Sequence, residues 1–118
     1  MYKRHILGQD GEDFAVQYLI KNHYTIIERN FHCRQGELDI IAQDANELVF
    51  IEVKTRSSNS YGSPIDAITP YKIKHLIKSI QYYLYIHQLE NSFVRIDVIE
   101  VYNKQNGFEV NHIKGVIG

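Results

Sequence analysis

The chain has 118 residues, 44% hydrophobic and 23% charged, a mix that points to one globular domain over residues 1–118 and away from disorder. No apolar run approaches the roughly 18–20 residues of a bilayer span, and the charged residues 1–5 have no long apolar stretch behind them, so neither a membrane partner nor a secretory signal is expected. The net charge of −1 lacks the basic excess of a strong non-specific nucleic-acid binder, and the single Cys33 excludes an internal disulfide and a cysteine-rich zinc site, which fits a reducing, cytoplasmic setting.

In chain order, the first element reads as a helix over 7–22, with Leu7, Phe14, Ala15, Tyr18 and Leu19 on one apolar stripe. Gly8 and Gly11 fall inside that stripe, where they either weaken the helix or let it approach a sheet closely. Residues 24–30 are rich in β-branched side chains and predict a strand. The polar stretch 32–36 predicts a loop. Residues 37–43 predict a second strand, 44–46 a turn and 47–55 a third strand. Residues 56–64 read as a polar loop. A helix follows over 70–88, with Pro70 in its first turn and Ile73, Leu76, Ile77, Ile80 and Leu84 as its apolar stripe. A fourth strand over 93–102, a turn at Asn106-Gly107 and a fifth strand over 108–113 complete the chain. The order α-β-β-β-α-β-β predicts an α/β domain with a mixed sheet flanked by helices.

Alternation along the second and third strands sorts their charges. Glu37, Asp39 and Ile41 share one face and Leu38, Ile40 and Ala42 the other, while Leu48, Phe50, Glu52 and Lys54 share a face of the third strand. If Ala45-Asn46 is a two-residue hairpin loop, Asp44 pairs with Glu47, Asp39 falls opposite Glu52, and Glu37 falls opposite Lys54. A three-residue loop would separate these charges onto different faces. Two directly opposed carboxylates repel, and a Mg²⁺ or Mn²⁺ ion between them would reverse that cost. The Val53 backbone carbonyl is a further candidate ligand. Lys54, about 6.6–6.8 Å along the strand, is placed to hold an attacking water or offset phosphate charge. The bland alternative is a solvent-facing strand with an ordinary Lys–Glu pair, but Leu48 and Phe50 on that face argue for burial.

Gly36-Glu37-Leu38-Asp39 followed by Phe50-Ile51-Glu52-Val53-Lys54-Thr55-Arg56 resembles the YraN-like family of uncharacterised bacterial proteins. That family is a branch of the restriction-endonuclease-like PD-(D/E)XK nuclease superfamily, which includes archaeal Holliday-junction resolvases. The likeness extends over Gly8, Gly11-Glu12, Ala15 and Tyr18-Leu19, over Arg29-Asn30, over Gly62, Pro64, Ala67-Ile68 and Lys72, and over Arg95, Asp97 and Val98. It implies a restriction-endonuclease-like core, Asp39 and Glu52 as metal ligands, Lys54 as the catalytic lysine, and Glu12 as a fourth member of the site. Leu38 stands where the superfamily name has proline. Resolvases cut as dimers, so the resemblance also raises a homodimer.

Other residues fill out this reading. Arg56 is a candidate phosphate grip, Lys72 borders the stripe of the second helix on the side of a cleft, and Arg34 in the 32–36 loop is a third candidate nucleic-acid contact. Lys74 and Lys78 read as solvent-facing, and Tyr82, Tyr83 and Tyr85 as packing side chains rather than a base-stacking surface. Asp97 reads as a structural acid. The six histidines show no metal-ligand pair, and no phosphate-binding Gly-rich loop precedes Lys-Ser or Lys-Thr. Two functions follow. One is a Mg²⁺- or Mn²⁺-dependent endonuclease acting on DNA, branched or partly single-stranded. The other is a nucleic-acid-binding module with a nuclease-like fold that cleaves little or not at all.

Overall fold

The computed structural model describes residues 2–57 and 69–116, with the side chains of residues 2–9 and 57 outside that description. Among these residues two helices flank a five-stranded sheet: α1 (Tyr2–Lys21), β1 (Thr25–Cys33), β2 (Gly36–Asp44), β3 (Glu47–Ser57), α2 (Pro70–Ile86), β4 (Phe93–Lys104) and β5 (Gly107–Ile113). The strands lie in sequence order, antiparallel except for the parallel β3–β4 pair. That pair needs a crossover, and α2 lies within it. The predicted order and mixed sheet hold. Most of the loop expected over 56–64, and Gly62, Pro64 and Ala67-Ile68, lie outside the described residues.

Each face of the sheet carries its own core. On the α1 side Ala15, Val16 and Leu19 pack with Ile40, Ala42, Val49, Ile51, Ile99 and Val101. On the α2 side Leu76, Ile80 and Tyr83 pack with Leu38, Ile41, Leu48, Phe50 and Ile96. Burying apolar area on both faces is worth about 25 cal/mol per Å², the main term holding both helices to the sheet. Gly11 lets α1 lie close to β3, because a side-chain carbon there would run into the Thr55 side chain. Thr69 caps α2 by accepting from the Lys72 N–H at 3.2 Å, and Pro70 opens the helix.

Three expectations are corrected. Helix α1 begins at Tyr2, because residues 2–6 contain no helix breaker although they precede the apolar stripe. The stretch 32–36 is not a loop: Cys33 pairs with Gly36 and His32 with Glu37, leaving only Arg34-Gln35 as the turn. An exposed edge strand has the polar composition of a loop, so the two look alike in sequence. Of the three tyrosines of α2, Tyr83 packs edge-on against Phe31 and Phe50, but Tyr82 and Tyr85 are exposed.

Candidate functional site

The hairpin register places the acidic residues. Asp44 pairs with Glu47 across Ala45-Asn46, and Ile41 with Phe50, so the two-residue loop is present. Ala45 takes φ 55°, the left-handed region, to make that turn. The ladder runs to Ile40–Ile51 and stops there, one step short of Asp39 and Glu52. On its other side Asp39 also lacks a ladder partner, because Asn30 sits at φ 55° between the pairs Arg29–Ile40 and Phe31–Leu38. Strict alternation breaks at this point. Leu38 joins the α2-side core and Ile40 the α1-side core, rather than sharing a face.

Asp39 fills the gap with its own side chain. Its Oδ2 accepts the Val53 N–H at 2.9 Å, as a backbone carbonyl would in a continuing ladder. Burial and then the charge of Glu52 push its carboxyl up to about 7. The Val53 N–H pulls the other way, and the charges of Glu12 and Glu37 add to the rise. Three other acids therefore act on Asp39 by charge, Glu52 most strongly.

The bases near these acids are few. Lys54 Nζ lies 3.6 Å from Glu52 Oε1, and both side chains are half-buried. Arg29 holds Glu12 Oε1 at 3.0 Å and Asp13 Oδ1 at 2.6 Å, so Glu12 reaches Asp39 by its charge while one of its oxygens is engaged. Glu37 does not contact Lys54 as the extended register implied. The ladder ends before that position, and Glu37 lies 3.3 Å from His32 instead.

A cleft of about 390 Å³ opens beside this cluster, between the start of β2, the outer half of β3 and the first turns of α2. Glu37, Glu52 and Lys54 line its sheet wall, while Tyr71, Lys72, His75 and Ser79 line its helix wall. Gly36, at φ 150°, brings β2 against α2, since a side-chain carbon there would sit 3.1 Å from Ser79 Oγ. His75 Nδ1 lies 3.1 Å from the Gln35 carbonyl, and Ser79 Oγ donates to the His75 carbonyl at 3.0 Å. Asp39 is not among the residues that line the cleft, and Glu52, which lines it, acts on Asp39 by charge.

The other candidates separate. Lys72 lines the cleft. Arg56 does not: its Nε sits 2.6 Å from Oε2 of the fully buried Glu100, because the parallel register brings the two strands' side chains together on the α2 face. Arg34 is exposed in the β1–β2 turn, outside the cleft lining. Sequence reasoning missed Tyr71, His75 and Ser79. Their four-residue spacing beside the apolar stripe of α2 was a usable signal of one helix face.

As a cation site the arrangement is open. Among the described residues no three His, Cys, Asp or Glu side chains converge as a metal cage. Asp39 and Glu52 would supply two carboxylates, the number Mg²⁺ usually takes from protein, with water and phosphate oxygens completing its octahedron. The Asp39 carboxyl is raised by burial first and by the Glu52 charge second, and the two oxygen donors are of the type a hard divalent cation takes.

No helix among the described residues is long and apolar enough to cross a membrane. Residues 11–101 match the uncharacterised protein family UPF0102. A UPF0102 protein of Caldicellulosiruptor saccharolyticus is 45% identical over 92% of this chain and 93% of its own length. A relative in Clostridium perfringens is 43% identical over 92% of this chain and 90% of its own, and one in Flavobacterium psychrophilum 41% identical over 97% and 95%. With the motif-bearing strands and both core faces inside the matched span, the chain belongs to the uncharacterised UPF0102 family.

Proposed function

We propose that this protein is a Mg²⁺- or Mn²⁺-dependent endonuclease that hydrolyses phosphodiester bonds of DNA at the cleft between β3 and α2. The observation that carries the reading is the half-buried Asp39 at the end of the β2–β3 ladder, its Oδ2 accepting the Val53 N–H at 2.9 Å and its carboxyl raised by burial and then by Glu52, with Lys54 Nζ 3.6 Å from Glu52. A divalent cation bound by Asp39 and Glu52, with the Val53 carbonyl as a further candidate ligand, would supply positive charge to the phosphate. Lys54 then has two tasks within reach. It balances Glu52 before substrate arrives, and it orients the attacking water or stabilises charge developing on the phosphate oxygens. Lys72, on the opposite wall, offers a second cation for the phosphate backbone. Glu12 acts through charge rather than by contact with substrate, since Arg29 holds it.

The test is cleavage of duplex, nicked, single-stranded and four-way DNA with Mg²⁺ or Mn²⁺, comparing wild type with Glu52→Gln. Metal-dependent cutting by wild type, reduced at least a hundredfold in the variant, supports the enzyme. Binding without cutting by either protein sinks it. That outcome belongs to the second reading, a non-catalytic nucleic-acid-binding module, which the engagement of Glu12 by Arg29 favours.

A further inference from the structure

The helix wall of the cleft carries a feature that phosphodiester chemistry does not call for. Tyr71 is 71% exposed at the rim. It leans on His75, one helical turn on, with ring centroids 4.4 Å apart and planes tilted by 55°. His75 is itself steadied by the Gln35 carbonyl across the cleft. A large aromatic ring backed by a second ring and left open to solvent beside a charged cleft is a surface for stacking, not for packing.

The charges of the cleft narrow the ligand. Glu37 and Glu52 offset Lys54 and Lys72 along its walls, and the whole chain carries a net charge of −1. Tight duplex binding through phosphates draws on many cationic contacts, on the order of 6–10. Among the described residues this cleft offers two, Lys54 and Lys72. Bases inside a duplex are already stacked on their neighbours and present no face to a protein ring, whereas an unpaired base presents both.

Resting on the nuclease reading of the same site, we infer that its substrate is a single-stranded segment of nucleic acid, one unpaired base stacking on Tyr71 while Lys72 meets the adjoining backbone. Stacking tolerates any base, so the preference is for strand state rather than sequence. Tyr71 is then a substrate-positioning residue, and His75 sets the plane on which it rests.

Binding measured in EDTA isolates this inference from cleavage. A short labelled oligothymidylate, the same strand made duplex, and the same strand with one abasic position are titrated by anisotropy against wild type, Tyr71→Ala and Tyr71→Phe. The single strand is expected to bind wild type more tightly than the duplex. Tyr71→Ala is expected to weaken single-strand binding by about 5- to 160-fold, the range for loss of one stacked base, with duplex binding unchanged. Tyr71→Phe keeps the ring and most of the affinity. An abasic position weakens binding to wild type but not further to Tyr71→Ala, a coupling that a merely structural role would not produce. Equal affinity of wild type and Tyr71→Ala, or equal losses on single strand and duplex, would overturn the inference. Failure of the nuclease reading looks different: stacking-dependent binding persists, and no metal cuts the strand.

Discussion

Asp39 and Asp97 are both carboxylates set into one sheet, and their surroundings drive them in opposite directions. Asp97 is fully buried. Burial alone would raise it, but His112 Nε2 at 2.7 Å, Arg95 Nε at 2.9 Å and the Gly115 N–H at 3.0 Å outweigh burial and hold it down to about 2. Asp39 is only half-buried, yet desolvation is still the largest cause of its rise; it receives one backbone N–H and feels the charges of Glu52, Glu12 and Glu37, and it rises to about 7. The difference lies in the donors: the deeper carboxylate, Asp97, is the one held low. Arg95 also reaches Asp44 and Glu47, which close the hairpin, and the Tyr24 hydroxyl at 2.7 Å. One region is a closed electrostatic circuit that ties four strands and the chain after β5 together. The other is left open: among the described residues Asp39 pairs with no side-chain cation, and the proposed function would have a metal or substrate close it.

The largest effect is expected from opening the closed circuit. Arg95→Ala leaves Asp97, Asp44 and Glu47 without their shared cation, and removing one partner of a buried ion pair costs about 3–5 kcal/mol. Denaturant titration should show that loss as a lower midpoint with an unchanged slope. A loss below 1 kcal/mol would mean that water replaces the guanidinium and that the contrast between the two regions is one of appearance.

Closing the open region comes next. Mn²⁺ at about 100 times its Kd should stabilise wild type by about 2.7 kcal/mol, read as a rise in Tm, and leave Glu52→Gln nearly unmoved. An equal rise in both proteins would place the cation elsewhere.

How far this contrast was legible in the sequence depends on the range of the interactions involved. The hairpin was legible because an even, two-residue turn and the apolar pattern of both strands agree on a single register. Asp39 and Glu52 could therefore be brought near each other from sequence alone. The break of alternation at Asp39 was not, because it arises from the positive φ of Asn30 on the neighbouring strand and from a side chain replacing a backbone acceptor. Nor were the partners that disarm individual charges. Glu100 takes Arg56 across a parallel register set by α2, and Arg29 takes Glu12 only once α1 has settled on the sheet through Gly11. Such pairs join residues far apart in sequence, and local periodicity carries no trace of them.

A smaller effect of opposite sign is expected at Asp39 itself. A carboxyl whose folded value lies near 7, against an ordinary 3.8, contributes stability below about pH 4 that is lost as pH rises through about 7. Asp97 slopes the other way: its contribution is present above its ordinary value and is lost as pH falls from about 4 towards 2. Asp39→Asn removes the first slope and keeps an acceptor for the Val53 N–H. Without metal it should be about 1–2 kcal/mol more stable than wild type above pH 7, and no different near pH 4. Equal stability of the two proteins at both pH values would show that Asp39 is not under strain.

The smallest expected change is in Glu12→Gln, and it separates contact from field. The substitution weakens a partly exposed ion pair with Arg29, worth about 0–1 kcal/mol, while Asp13 keeps its own grip on the guanidinium. It also removes one of the negative charges that raise Asp39, which offsets part of that loss. Net stability should hardly move, but the Asp39 carboxyl, followed by ¹³C NMR, should titrate lower than in wild type. The shift should be smaller than that caused by Glu52→Gln, whose charge ranks above that of Glu12 in raising Asp39. If Asp39 titrates as in wild type, Glu12 belongs to the packing of α1 alone, and the open region shrinks to Asp39, Glu52 and Lys54.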